Sequence, residues 1–229
     1  MKPERQQLHL KMLGCLLLCF LFSQRVFAHD SVTDLENMSK TDAAVLYLQL
    51  GYQHILPLGL DHILFVLSLF LLNPQLKPVL WQATAFTVAH TVTLGLSMYK
   101  IIKPPSSIVE PLIALSILYV ALENIFSNKL KATRIGVVFL FGLIHGMGFA
   151  SALGQLGLPK NAYFTSLLMF NLGVELGQIT VILAAYLLLG RWFGKKPYYR
   201  RYIVIPLSTI ICVVAAFWLV QRIFFTAAP

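Results

Sequence analysis

Residues 163–189 read YFTSLLMFNLGVELGQITVILAAYLLL and contain a single charged residue, Glu175. An α-helix needs about 20 mostly apolar residues to cross the hydrocarbon core of a bilayer. Similar runs fill the chain: 58% of its 229 residues are hydrophobic and 12% are charged, whereas soluble domains carry about 25% charged residues. The sequence therefore predicts an all-α, polytopic membrane protein. It excludes a soluble domain, a disordered chain and a β-barrel, whose strands would alternate polar and apolar residues.

Six such runs are separated by short connectors that are rich in Pro and Gly. The predicted spans are residues 50–72, 79–99, 106–126, 135–153, 163–189 and 203–225. No connector is long enough to form another domain, so we expect residues 50–229 to form one six-helix transmembrane bundle. Because each half contains three spans, the two halves cross the membrane in opposite directions. This arrangement is compatible with a 3+3 inverted repeat of the kind that secondary transporters contain.

The first 28 residues have the pattern of a cleaved signal peptide. Basic residues precede the apolar run Met12–Phe22, and Val26–Ala28 forms a small-x-small cleavage pattern. Cleavage there would leave residues 29–49 as a short periplasmic segment before the first span. The mature chain would keep one cysteine, Cys212, and could form no intrachain disulfide.

The positive charges lie in the connectors and indicate the orientation of the chain. Nine basic residues lie in the connectors after spans 1, 3 and 5, and five lie on the opposite side or at the ends. The positive-inside rule makes the first set cytoplasmic, which agrees with a periplasmic mature N-terminus in a bacterial inner membrane. No basic face is interleaved with aromatic residues, so nucleic acid is excluded as a partner. The expected partners are the lipid bilayer and a metal ion, and homo-oligomerisation stays open.

Acidic residues and histidines fall within the spans, where a carboxylate costs about 2.5–3.5 kcal/mol. The acids are Asp61, Glu110, Glu123 and Glu175, and the histidines are His54, His62, His90 and His145. No Lys or Arg lies inside spans 1–5, and Arg222 is near the end of span 6. We therefore expect these acids to lack a permanent basic partner and to be protonated, paired with imidazolium or neutralised by a bound cation. Imidazole with carboxylate is a ligand set that suits Ni²⁺, Co²⁺ and Zn²⁺.

Span 1 contains GYQHILPLGLDH at residues 51–62. His54 and Asp61 are seven residues apart and would share one face of a helix. Pro57 removes a backbone donor, which predicts a kink or a break between these two residues. Broken helices at mid-depth recur at the ion sites of transporters.

Spans 4 and 5 each contain a small-xxx-small pattern, which lets helix backbones approach closely. The two patterns are Gly142 with Gly146 and Gly173 with Gly177. His145 and Glu175 lie inside these patterns, so close backbones would bring them within bonding distance. Other polar residues share their faces and are candidates for the transport path or for contacts around the ligands: Asn171 and Gln178 beside Glu175, Thr87 beside His90, and Glu110 in the outer half of span 3.

These segments resemble the HupE/UreJ family of bacterial membrane proteins, and they are closer to its broad branch than to the hydrogenase-linked proteins. The resemblance covers roughly residues 50–190 and rests on residues 54–62, 85–94, 141–150 and 171–178. The family is associated with nickel or cobalt uptake that supports hydrogenase or urease. The resemblance implies metal roles for His54, Asp61, His62, His145 and Glu175, with His90 and Glu110 as contributors.

The favoured function is therefore a permease for a divalent transition metal, with nickel or cobalt first and zinc or copper as further candidates. No Walker-type motif for ATP is present, and we do not expect an enzyme. Three alternatives stay open. They are a membrane-embedded metal-dependent hydrolase that activates water on Zn²⁺, a non-transporting metal-binding accessory protein, and a haem or electron-transfer protein with paired histidines.

Overall fold

Eight α-helices account for most of the chain that the computed structural model describes, which comprises residues 38–156, 158–159 and 162–225. They are α1 (Lys40–Ile55), α2 (Leu60–Leu72), α3 (Leu76–Met98), α4 (Ser106–Phe126), α5 (Thr133–Leu156), α6 (Tyr163–Ala185), α7 (Arg191–Phe193) and α8 (Ile205–Phe224). Two π-helical segments, Tyr186–Gly190 and Arg200–Val204, continue α6 and precede α8. The described residues contain no strand, which confirms the all-α class. The expected signal peptide lies outside the described residues.

Four helical segments are long and apolar enough to cross a membrane. They are Ser106–Phe126, Thr133–Ala150, Tyr163–Phe193 and Arg200–Phe224. The pair α1 and α2 makes a fifth candidate if it is counted as one broken span. Helix α3 has the length of a span, but its threonines, Gln82 and His90 lower its hydropathy. By length and composition, the described residues thus supply four or five candidate spans. A total of six would also require α3, which corresponds to the predicted span 79–99, and its role as a span stays a prediction.

The first predicted span is two helices that are bent by 68° at their junction. Helix α1 ends at Ile55, the Leu56–Pro57 peptide bond is cis, and α2 begins at Leu60. A Cβ on Gly59 would collide with the carbonyl oxygen of His54, so glycine is required at this turn. The predicted break at Pro57 is confirmed. It leaves His54 in the last turn of α1 and both Asp61 and His62 in the first turn of α2, so the expectation that His54 and Asp61 share one helix face is wrong.

The start of α1 differs from the predicted boundary at residue 50. The helix begins at Lys40, because the Ser39 hydroxyl caps it and accepts a hydrogen bond from the Asp42 backbone N–H at 3.1 Å. Part of the segment expected to precede the first span is therefore helical.

Both glycine patterns make close backbone contacts, as predicted, but with other helices and not with each other. The expected bonding contact between His145 and Glu175 is not formed, since neither residue is bonded to the other among the described hydrogen bonds. A Cβ on Gly142 or Gly146 of α5 would collide with carbonyl oxygens of Phe86 or His90 in α3. A Cβ on Gly173 of α6 would collide with the carbonyl oxygen of Leu48 in α1. Helix α5 therefore packs on α3 and α6 packs on α1, while α4 packs on α8.

Candidate metal centre

Three imidazole rings from three helices converge at the break between α1 and α2. His54, His62 and His90 each offer one ring nitrogen, and these nitrogens all lie within 4.8 Å of one another. The ring centroids are 4.7 Å apart for His54 and His62, 6.2 Å for His62 and His90, and 6.3 Å for His54 and His90. The bend brings the first two together, because it turns the end of α1 and the start of α2 toward the same space.

A fourth ring, that of His145 in α5, lies next to this group. Its centroid is 5.2 Å from the centroid of His62. His90 and His145 are 0% and 1% exposed, and His62 is 4% exposed. The four histidines of the predicted site therefore occupy one buried region, although the three-nitrogen group does not include His145.

The Nε2 atoms of all four rings are buried and have no hydrogen-bond partner among the described residues. Most buried polar atoms in proteins are paired, and an unpaired one costs about 1–3 kcal/mol. Four such nitrogens lie in this one region, and no described residue pairs with any of them.

The Nδ1 atoms of three rings are hydrogen-bonded to oxygen acceptors. His62 Nδ1 is 3.2 Å from Asp61 Oδ1, His90 Nδ1 is 3.0 Å from Asn171 Oδ1, and His145 Nδ1 is 2.8 Å from the Phe141 carbonyl oxygen. Carboxylate, amide and carbonyl oxygens carry no proton, so each Nδ1 is the donor, and in a neutral ring Nε2 keeps its lone pair. Metal-binding histidines are held in the same way, with one nitrogen donating to an oxygen and the other free for the metal.

Aromatic rings surround the imidazoles and keep the region apolar. The centroid of the Phe149 ring is 3.9 Å from the centroid of the His54 ring, and Phe149 stacks on Phe170. The Phe86 and Phe65 rings are 4.9 Å and 5.6 Å from the His145 ring. A tetrahedral ion with metal–nitrogen bonds of about 2.0–2.1 Å sets its ligand nitrogens about 3.4 Å apart.

Three of the four acids in the predicted spans have an arginine partner, so the expectation that they lack one is wrong. Arg222 Nη1 is 3.4 Å from Glu110 Oε2, and Arg222 Nη2 is 3.9 Å from Asp61 Oδ2. Arg134 Nη1 is 3.0 Å from Glu123 Oε2. Arg222 reaches back from the last turn of α8, and Arg134 lies inside α5 because that helix begins at Thr133 and not at residue 135.

Glu175 has no basic partner among the described ion pairs and does not belong to the three-histidine group. Its Oε1 accepts a hydrogen bond from the Thr84 hydroxyl at 2.6 Å, and its Oε2 is buried without a partner. Gln178 Oε1 accepts from the Thr87 hydroxyl at 3.2 Å. The stripe that Glu175 shares with Asn171 and Gln178 therefore faces α3, but within this stripe only Asn171 is bonded to an imidazole in the described residues. A metal role for Glu175 stays a prediction.

A family model described as the HupE / UreJ protein matches residues 29–222, which is most of the chain. The chain belongs to the HupE/UreJ family. No curated protein and no solved structure matches it. The HupE/UreJ family is associated in general with nickel or cobalt uptake or handling, and it is not known as a family of enzymes.

Two contacts of this HupE/UreJ centre escaped the sequence analysis. Arg222 bridges Asp61 and Glu110, and its Nη1 also donates to the Glu110 carbonyl oxygen at 3.1 Å. The sequence feature that could have indicated this contact is that Arg222 is the one basic residue in the predicted span 203–225. The second contact uses the backbone carbonyl of Phe141, which side-chain identity cannot reveal.

Proposed function

We propose that this HupE/UreJ protein is an inner-membrane permease for a divalent transition metal, with nickel or cobalt as its cargo. The proposal rests on one observation: imidazoles from three helices share one site, and their buried Nε2 atoms have no hydrogen-bond partner among the described residues. Neutral imidazole nitrogens favour Ni²⁺, Co²⁺, Zn²⁺ and Cu²⁺ over Mg²⁺ and Ca²⁺, which prefer oxygen. Zinc and copper are therefore the competing cargoes.

In the proposed topology, α1 with α2 forms the first of six spans and α3 forms the second. The mature N-terminus is periplasmic, as the bias of basic residues in the connectors indicates. The two halves then run in opposite directions, as an inverted repeat would require. In this orientation Glu110, near the start of α4, lies in the periplasmic half of the membrane.

The ion would approach from the periplasm past Glu110 and Asp61 and exchange its water for imidazole nitrogens. His54, His62 and His90 would hold it, with His145 adjacent. Asp61 would contribute negative charge through its hydrogen bond to His62, which makes that imidazole a stronger ligand. Asn171 would fix His90 in the same way. A few neutral ligands hold a cation less tightly than thiolates would, which permits release.

The second candidate is a metal-dependent hydrolase. Three histidines leave a fourth position on zinc free for water, as in catalytic zinc sites. A hydrolase also needs a general base near that water, and Asp61 already accepts two hydrogen bonds from His62 at its Oδ1. A non-transporting accessory protein would bind the metal and show no flux.

Uptake into proteoliposomes tests the proposal. His62→Ala and His90→Ala are each expected to lower Ni²⁺ or Co²⁺ uptake by about tenfold or more, because each removes a ligand. The matched control is Tyr52→Phe, which removes a hydroxyl from the helix that carries His54 and breaks only the bond to Thr180. If both histidine variants take up the metal as fast as the protein without substitutions, the proposed site is contradicted. Binding without uptake in the unmodified protein would favour the accessory role.

A further inference from the structure

Arg134 is a buried guanidinium at the end of the bundle opposite Glu110, with 2% of its surface exposed. Its Nη1 is 3.0 Å from Glu123 Oε2, and both Nη atoms donate to Asn124 Oδ1 at 3.2 Å. Its Nη2 also donates to the Ser68 carbonyl oxygen at 3.2 Å. One side chain therefore joins α5 to α2 and α4.

Asn124 and Arg200 extend this junction. Asn124 Nδ2 donates to the Ser68 carbonyl oxygen at 2.8 Å and to the Ser208 hydroxyl of α8 at 3.3 Å. Arg200 donates to three carbonyl oxygens at the end of α4, those of Asn124, Ile125 and Ser127. Four helices, α2, α4, α5 and α8, are thus tied at one level.

This junction lies inward of the imidazoles on the same helix faces. Arg134 precedes His145 by 11 positions in α5, which is about three turns and about 16 Å along the axis. Val138 and Phe141 occupy the same face between them. In α2, Phe65 lies between His62 and Ser68, and its ring is 5.6 Å from His145 and 6.3 Å from Phe141. A cation that moves inward from the imidazoles first meets an apolar layer and then a fixed positive charge.

An open cavity of about 470 Å³ lies at the end of α4 and in the connector to α5. Its lining comprises Glu123, Phe126, Ser127, Asn128, Lys129 and Lys131. Glu123 therefore contributes to the wall of this cavity and also pairs with Arg134. No other acidic side chain lines the cavity within the described part of the chain.

We propose that Arg134 is the inner gate of the metal path and that the structure holds this gate closed. Two like charges repel strongly where little water screens them, so a divalent cation cannot pass while the guanidinium is in place. Opening requires Arg134 to leave Asn124 and the Ser68 carbonyl. The same movement frees the Glu123 carboxylate, which then offsets the positive charges of Lys129 and Lys131 at the wall of the cavity and receives the departing cation. This role rests on the proposed permease function.

Thiol accessibility tests the gate without any metal. Val138 is 0% exposed and lies one turn from Arg134 toward the imidazoles. Val138→Cys is placed in a chain whose Cys15, Cys19 and Cys212 are replaced by alanine. Lys129→Cys, at the cavity wall, is the accessible control and identifies the side from which a membrane-impermeant reagent must be added.

With Arg134 in place, Val138→Cys is expected to stay unmodified. Arg134→Ala is expected to speed its modification by about tenfold or more, since labelling of a buried thiol follows its opening. Lys129→Cys should react equally in both backgrounds. Equal rates for Val138→Cys with and without Arg134, whether fast or slow, would overturn the gate.

Two further variants guard against misfolding. Arg134→Ala leaves the Glu123 carboxylate unpaired, so Arg134→Ala with Glu123→Gln is measured beside it. Arg134→Lys keeps the charge but replaces the planar guanidinium with one ammonium nitrogen, so an intermediate rate is expected. A rate that does not differ among these variants would contradict the proposal. If Arg134→Ala speeds the labelling as expected but no variant takes up Ni²⁺, the result contradicts the permease function and still supports the closure of this region by Arg134.

Discussion

Asp61 combines two contacts, one with the neighbouring His62 and one with Arg222. Its Oδ1 accepts hydrogen bonds from the backbone N–H of His62 at 2.9 Å and from the His62 ring at 3.2 Å. Its other oxygen faces Arg222 at 3.9 Å. Asp61 thereby fixes both the orientation of the His62 ring and the nitrogen that carries the proton.

Asp61→Asn is expected to weaken Ni²⁺ or Co²⁺ binding by about 10- to 100-fold, because the amide supplies no charge to the His62 imidazole. Titration calorimetry on the purified protein measures the change. Asp42→Asn is the matched control, since Asp42 interacts with Ser39 at the start of α1 and lies outside the histidine group. Equal affinities in the two variants would show that Asp61 does not act on the site.

Metal binding is also expected to weaken as the pH falls. A proton and a metal ion compete for the same Nε2 lone pair, so binding releases protons and acid opposes it. Titrations at several pH values, in buffers of different ionisation enthalpy, measure both effects. An affinity that is independent of pH would argue against imidazole ligands.

At the scale of single residues, the sequence predicted which polar side chains lie within the spans but not their partners. The four histidines were identified as candidates because a histidine within an apolar span is energetically costly and therefore indicates a functional site. The pairing of Asp61 and Glu110 with Arg222 was missed, because it joins helices that are far apart in the chain. Depth along each helix can be estimated from the sequence, whereas the rotation of one helix against another cannot.

Helix elements position the site through two devices, the break after Ile55 and the close approach of α5 to α3. The break was predictable from Pro57, because proline removes a donor from the helix. The helix that packs on each glycine pattern was not predictable, since Gly142 indicates only that the backbone of another helix approaches closely. That backbone belongs to α3, the helix that carries His90.

Gly142→Ala is expected to destabilise the protein by about 1–3 kcal/mol, because its Cβ would press on the backbone of Phe86. The same shift would move His90 and lower metal affinity. Gly136→Ala in the same helix is the control, since a Cβ there meets nothing within 4 Å. That variant is expected to be neutral or slightly stabilising. Thermal unfolding in detergent compares the two, and equal losses of stability would contradict the packing of α5 on α3.

For the whole molecule, composition alone predicted an all-α membrane protein, and the described helices agree. The count of spans depends on α3, which is less apolar than the other candidates. Its polar face, with Thr87, His90 and Thr93, is buried against α5 and α6, so this helix need not be apolar all round. Hydropathy is therefore a weaker guide for a helix that contributes to a buried polar site.

The most direct test of the metal centre is X-ray absorption spectroscopy of the purified full-length protein loaded with one equivalent of Ni²⁺ or Co²⁺. The predicted spectrum contains scattering from about three imidazole nitrogens at roughly 2.0–2.2 Å, and His62→Ala or His90→Ala reduces that number. A shell made of oxygen atoms alone, or an imidazole signal unchanged in both variants, would contradict the assignment.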